Sequence, residues 1–210
     1  MNILLDLGAN MGQGLSEINN ELNALNNDKF LVYSFEANPY IKLDLKYKNF
    51  YYINKAVSIY NGKTKFKVAT RVNNINNLEF EKNTKMKYIG ASSKQGEYTS
   101  VGCYMIDNDI NGQLGGSGHH DVNVDVIDIL SFMDDLIEKH KDVTFYIKMD
   151  IEGSEFKILR ELLKRDNILK NIKKIWIETH ERFVNNESEY TVDLLFKNLI
   201  KHNIEVIHWK

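Results

Sequence analysis

Near the start of the chain, Asn2-Ile3-Leu4-Leu5-Asp6-Leu7 is almost wholly apolar and shows none of the alternation of a half-exposed strand. Such a run predicts a strand covered on both faces. It breaks into the turn Gly8-Ala9-Asn10-Met11-Gly12-Gln13-Gly14, after which Leu15, Ile18, Leu22 and Leu25 recur at helical spacing. The pattern then repeats. Phe30 to Phe35 predicts a second strand ending at Glu36, and Asn38-Pro39 reads as the cap and first turn of a helix with Ile41 and Leu45 inward. Phe50 to Asn54 predicts a third strand. Asn61-Gly62 predicts a hairpin between Val57–Tyr60 and Lys63–Val68.

Further on, Val122 to Val126 predicts a strand and Asp128 to His140 a helix with Ile129, Leu130, Met133, Leu136 and Ile137 inward. Phe145 to Met149 predicts a strand ending at Asp150. The helix after it is capped by Ser154 and buries Phe156, Leu159, Leu162 and Leu163. Lys173 to Thr179 predicts another strand, Ser188 to Asn203 a helix with Val192, Leu195, Leu199 and Ile200 inward, and Glu205 to Trp209 a closing strand. Strands alternating with helices predict an α/β domain with a mostly parallel sheet and helices on both faces. The 210 residues fit one such domain, 1–210. The region 57–121 departs from this rhythm. Its runs Asn73 to Asn77 and Gly112 to Gly118 read as exposed loops, and the insertion is expected to form a rim over the ligand site.

Composition narrows the function classes. A formal net charge of −2 argues against electrostatically driven binding to nucleic acid or membrane. Cys103 is the only cysteine, which excludes an internal disulfide and suits a reducing compartment. No apolar run reaches membrane-spanning length and no leader pattern opens the chain, so the expected location is the cytoplasm. The first strand begins at Asn2, so substrate contacts are expected from later insertions, a second copy or a fused partner.

A strand, a glycine turn and a helix form the opening unit of nucleotide-binding α/β domains. A dinucleotide site of G-x-G-x-x-G type wants a bare glycine where this chain has Asn10, which counts against a nicotinamide-dependent oxidoreductase. The observed D-x-G-x-x-x-G form suits a ligand without phosphates. It resembles the first motif of class I methyltransferases that use S-adenosylmethionine (SAM). That resemblance implies cofactor contacts from Asp6, Gly8, Ala9, Asn10 and Gly12 to the methionine portion. It places Glu36, with Ala37 beside it, at the ribose, and Ala56 and Val57 at the adenine. A carboxylate can accept from both ribose hydroxyls, each charge-assisted bond being worth about 1.5–3 kcal/mol.

Lys148-Met149-Asp150-Ile151-Glu152-Gly153-Ser154-Glu155 crowds three acids at the end of a central strand, with Lys148 as partial balance. Glu155 is explained by the helix start; Asp150 is not. Glu178 and His180 are expected in the same crevice. Three chemistries stay open for them: His180 as a base of ordinary pKa, Asp150 or Glu152 as a base raised by burial and repulsion, or a divalent metal (Mg²⁺, Mn²⁺ or Ca²⁺) bridging Asp150, Glu152 and Glu178. His119-His120, on an exposed loop, is a weaker candidate for base or ligand.

The K-x-D-x-E-G-x-E pattern of Lys148 to Glu155 sits between D-x-G-A-N-x-G at Asp6 to Gly12 and E-x-H at Glu178 to His180. Together with Glu36 and Val126 to Leu130, these residues resemble the FkbM family of SAM-dependent O-methyltransferases. The resemblance implies a seven-stranded Rossmann-like sheet and methyl transfer to a hydroxyl of a sugar, glycan or natural product. Ser92-Ser93 resembles a family Ser-Ser; the rest of Thr70 to Asp121 matches nothing in it. Two alternatives stand beside this reading. An RNA ribose 2′-O-methyltransferase would want a basic groove. A non-catalytic SAM-fold module in a larger assembly would suit a chain lacking an N-terminal cover.

Overall fold

The structure is a computed structural model and describes residues 1–70, 103–105 and 118–209. In chain order its elements are β1 (Asn2–Leu7), α1 (Gln13–Leu22), β2 (Phe30–Phe35), β3 (Phe50–Ile53), β4 (Ala56–Ser58), β5 (Gly62–Thr70), β6 (Tyr104–Met105), β7 (Gly118–Asp128), α2 (Ile129–Lys139), β8 (Thr144–Met149), α3 (Glu155–Leu162), α4 (Asp166–Leu169), β9 (Ile172–Ile177), α5 (Glu189–Lys201) and β10 (Glu205–His208).

Six of the strands form one sheet in the order β10-β9-β8-β1-β2-β3, with every neighbouring pair parallel. β1 lies at its centre and is buried from Ile3 to Leu7. Its alternate residues serve two cores. Ile3, Leu5 and Leu7 meet α2, α3 and α5 through Met133, Leu159 and Leu199, while Leu4 meets Leu15 and Ile18 of α1 on the other face. Two-sided burial explains why the run carries no polar alternation.

The sheet has six strands where seven were expected. The last connection, β9 to α5 to β10, is a helical crossover, which returns the chain parallel to the strand it left. Ser188 begins α5 as a true cap, accepting a hydrogen bond from the Thr191 amide at 3.3 Å. Ile200, expected inward, is exposed.

A second sheet in the order β4-β7-β5-β6 is built from residues around the insertion. Its core is Ala56, Phe66, Val68, Cys103, Met105, Val124 and Val126. The Asn61-Gly62 hairpin does not form, because β7 lies between β4 and β5, parallel to the first and antiparallel to the second. The Asn61 side chain instead accepts from the Asp128 amide at 3.1 Å, so the turn wraps over the end of β7. β7 starts earlier than expected. His119 and His120, read as loop residues, sit in this strand opposite Ala69 and Val68. The runs 73–77 and 112–117 and the pair Ser92-Ser93 lie outside the described residues.

No helix follows Asn38-Pro39 either. The Asn38 side chain accepts from the Tyr40 amide at 3.0 Å, closing a local turn, and the Tyr52 hydroxyl donates to the Ile41 carbonyl that a helix would have used. Only Ile41 is fully buried in the stretch that follows. Among the described residues, no helix is long and apolar enough to cross a membrane.

Chain order fixes where a ligand can sit. From β1 the sheet grows to one side through β2 and β3; the chain then returns through the small sheet and α2 to place β8 on the other side. The crevice between diverging connections lies at the carboxyl ends of β1 and β8.

Candidate active site

The glycine turn after β1 is held by the strand beside it. The amides of Gly8 and Ala9 both donate to the Phe35 carbonyl, at 3.0 and 2.8 Å. Gly8 has a φ of 79°, and a Cβ there would lie 1.8 Å from the Asp150 carbonyl oxygen. The β1 and β8 turns therefore touch at a place where only glycine fits. Asn10, also left-handed at φ 48°, turns its amide onto Glu36 Oε2 at 2.7 Å. Glu36 Oε1 accepts from the Asn38 amide at 2.7 Å. Burial pushes the Glu36 carboxyl up, while these two amides and the charge of Lys148 hold it down.

Beneath the turn, Asp6 is wholly buried. Its Oδ2 accepts from the Ser34 hydroxyl at 2.8 Å. Its Oδ1 has no hydrogen bond among the described residues and lies 3.7 Å from Lys148 Nζ. Lys148, 3% exposed, donates to the Gly8 carbonyl and lies 3.4 Å from Asp150 Oδ2. Burial opposes the charge on Lys148, but Asp6 and Asp150 outweigh it, so the ammonium is held more tightly than usual. Lys148 therefore lies under the site as a cation.

The second turn is organised by Glu155, which sequence reasoning left among the helix-start acids. Its carboxylate is fully buried and accepts from the Ile151 amide at 2.9 Å and the Gly153 amide at 2.8 Å. It also meets His180 Nδ1 at 3.0 Å. The turn contains two left-handed residues, Glu152 at φ 53° and Gly153 at φ 107°. A left-handed glutamate costs about 1–2 kcal/mol, and the two amide bonds to Glu155 hold it there. Ser154, expected as the cap of α3, makes no side-chain capping bond, and the Glu155 carboxylate is turned back onto the amides of the preceding turn. The spacing of the two acids with one glycine between them was the available signal, a carboxylate two residues after an obligatory turn.

His180 is buried between carboxylates. Nε2 lies 3.3 Å from Glu152 Oε2 and 3.7 Å from Glu178 Oε1. Burial opposes its protonation, but the hydrogen bond and charge of Glu155, with Glu152 and Asp150, raise it to about 9. This corrects the expectation of an unperturbed base: at neutral pH the ring is an imidazolium, donating from both nitrogens. Among the acids of this group, burial and then the charge of Asp150 push the Glu178 carboxyl up. Asp150, Glu152 and His180 present ligand atoms within 4.8 Å of one another. The set differs from the expected Asp150, Glu152 and Glu178, and a divalent ion there would have to displace the His180 proton.

A pH dependence of stability follows. His180 titrates near 9 in the folded chain and near 6.5 in the unfolded one. The folded chain keeps a proton the unfolded chain releases between these values, so the stabilisation is complete below 6.5 and is lost as pH rises through about 9. The difference corresponds to about 3 kcal/mol. Urea unfolding at pH 6.5 and 9.5 is expected to resolve it, and His180→Asn to remove most of it. Equal slopes in the two proteins would contradict the ion pair.

The cleft at the carboxyl ends of these strands encloses about 540 Å³, counting its open mouth. Eight of the residues singled out in the sequence line it: Gly8, Asn10, Glu36, Ala37, Ala56, Val57, Asp150 and Glu152. Phe35, Lys55 and Ile151 join them, and the small sheet contributes Phe66, Cys103 and Met105, which sequence reasoning did not single out. The remaining candidates lie off the lining. Asp6 and Lys148 are beneath it, and Ala9 is buried. Gly12 starts α1 at φ 86°, facing Leu43. Glu178 and His180 lie behind Glu152.

No curated protein and no solved structure is detectably similar to the chain. The family model of the methyltransferase FkbM domain matches residues 6–201, from Asp6 at the first turn to the end of α5, and the chain belongs to that family of methyltransferases.

Proposed function

We propose that the chain is a SAM-dependent O-methyltransferase acting on a hydroxyl of a sugar, glycan or natural product. The observation that carries this reading is the charge of the cleft. Among the described residues its walls hold Glu36, Asp150 and Glu152 against the single cation Lys55. An acid-rich crevice repels a dinucleotide pyrophosphate and attracts a sulfonium and an α-ammonium group. The apolar share of the lining, Ala56, Val57, Phe66 and Met105, suits the face of a purine. Glu36 keeps free lone pairs on both oxygens after its two amide bonds, enough for a vicinal diol. When bound, SAM supplies an electrophilic methyl group. Gly8 to Asn10 and Asp150 would hold its amino-acid end, Glu36 its ribose, and Ala56 with Val57 its base.

The chain's own residues then have two tasks: to hold the acceptor oxygen in line, and to take its proton as the carbon–oxygen bond forms. Orientation supplies up to about 7–11 kcal/mol in ideal cases, and a positioned base about 10²–10⁴-fold. With Glu36 given to the ribose, Asp150 and Glu152 are the lining carboxylates left for the acceptor. His180, as imidazolium, orients Glu152 and is not the base. The net charge of −2 and the acidic walls disfavour an RNA acceptor.

Calorimetric titration tests the cofactor half. The wild type is expected to bind SAM, and Glu36→Gln to weaken binding about 10- to 100-fold, the worth of a charge-assisted bond. No heat with the wild type, or equal affinity in both, would count against the reading. Labelled SAM with a panel of saccharides, followed by product masses, tests the acceptor half. Turnover on any of them removes the non-catalytic alternative.

A further inference from the structure

We propose that Lys148 is a positioning residue that clamps the two lips of the cofactor cleft together. The proposal rests on the SAM-binding reading above. One lip is the β1 turn, the other the β8 turn, and the ammonium reaches both. It donates to the carbonyl of Gly8 and lies 3.4 Å from Asp150 Oδ2, and both of these residues line the cleft. The lips are in direct contact at this point, since a Cβ on Gly8 would meet the Asp150 carbonyl. Without a cation between them, the Gly8 carbonyl and the Asp150 carboxylate would present like partial charges across a closed seam.

Lys148 is built for this place. Its stem packs under Gly14, where a Cβ would lie 2.9 Å from Lys148 Cε, and its ammonium is 5.9 Å from the Trp209 ring centroid. Asp6, with Oδ1 at 3.7 Å, fixes the ammonium from below. The acid at the end of β1 therefore acts on the cleft through Lys148 and not by touching the cofactor, because Asp6 is 0% exposed. The lining residues Gly8, Asn10 and Asp150 are thereby set at one spacing before any ligand arrives.

A buried cation balances charge as well as position, and the test separates these roles. Lys148→Met leaves buried Asp6 uncompensated and is expected to lower thermal stability and weaken SAM binding at least tenfold. The double variant Asp6→Asn, Lys148→Met removes both buried charges, while the carboxamide that replaces the carboxylate still offers the Ser34 hydroxyl an acceptor. It is expected to recover stability but still to bind SAM at least tenfold more weakly than the wild type. A double variant that binds within twofold of the wild type would overturn the clamp and leave only charge balance. A wild type that does not bind SAM would instead sink the cofactor reading. One measurement needs no variant: in ¹⁵N spectra of the wild type, the Lys148 ammonium is expected to exchange slowly with water and to couple to the Gly8 carbonyl carbon. A fast-exchanging, uncoupled ammonium would also overturn the proposal.

Discussion

Gly8→Ala is expected to destabilise the fold by about 2–5 kcal/mol and to abolish cofactor binding. Two costs add. A left-handed alanine at φ 79° costs about 1–2 kcal/mol, and displacing packed backbone costs about 1–3 kcal/mol more. The second cost is unavoidable because the new methyl meets main chain, the Asp150 carbonyl, at 1.8 Å. Gly12→Ala is the internal comparison. Its φ of 86° is just as left-handed, but its nearest neighbour is the flexible Leu43 side chain at 3.1 Å. It is expected to cost only the first term and to leave the cleft in shape. Denaturant melts of the two variants check the ranking; equal losses would mean that the two turns do not meet.

Glu155→Ala is expected to be the most damaging of the acid-cluster substitutions, at about 3–5 kcal/mol near pH 7. It strands a buried imidazolium, and it leaves the amides of Ile151 and Gly153 without their acceptor. Glu152 then loses what holds its left-handed conformation, so activity is expected to fall even in the fraction that stays folded. The stability penalty is expected to shrink toward pH 10, where the wild-type His180 has itself lost the proton that Glu155 stabilises. Urea melts across pH measure it. A penalty that does not vary with pH would place the role of Glu155 in its backbone bonds alone.

Much of this was legible in the residues, and the parts that were not share a cause. β1, β2 and β8 were readable because two-sided burial leaves an apolar run that nothing else explains. Glu36, Asp150 and Glu152 were readable because strand ends at a switch point converge. Local signals failed where distant partners competed for the same groups. Asn61-Gly62 is a strong turn signal, but the amide of Asp128 takes the Asn61 side chain and β7 takes both strands. Asn38-Pro39 is a strong helix start, but Tyr52 takes the carbonyl that a helix needs. The protonation of His180 depends on Glu155, 25 positions away, and no single-residue pKa anticipates it. The insertion's part in the cleft, through Phe66, Cys103 and Met105, rests on a pairing of β5 with β6 that no period announces.

The central place of β1 has a consequence for how the chain is made. β1 pairs with β2 almost at once, at Asn2 and Phe30, but its other edge waits for Thr144. At translation rates of about 5–20 residues per second, that edge stays open on the ribosome for about 7–28 s. A long, apolar, unpaired strand edge is a template for the wrong neighbour. The parallel pairing of β1 with β8 is also a contact of high sequence separation, the kind expected to slow folding. The strand that carries the first turn of the cleft is thus synthesised long before the strand that completes it.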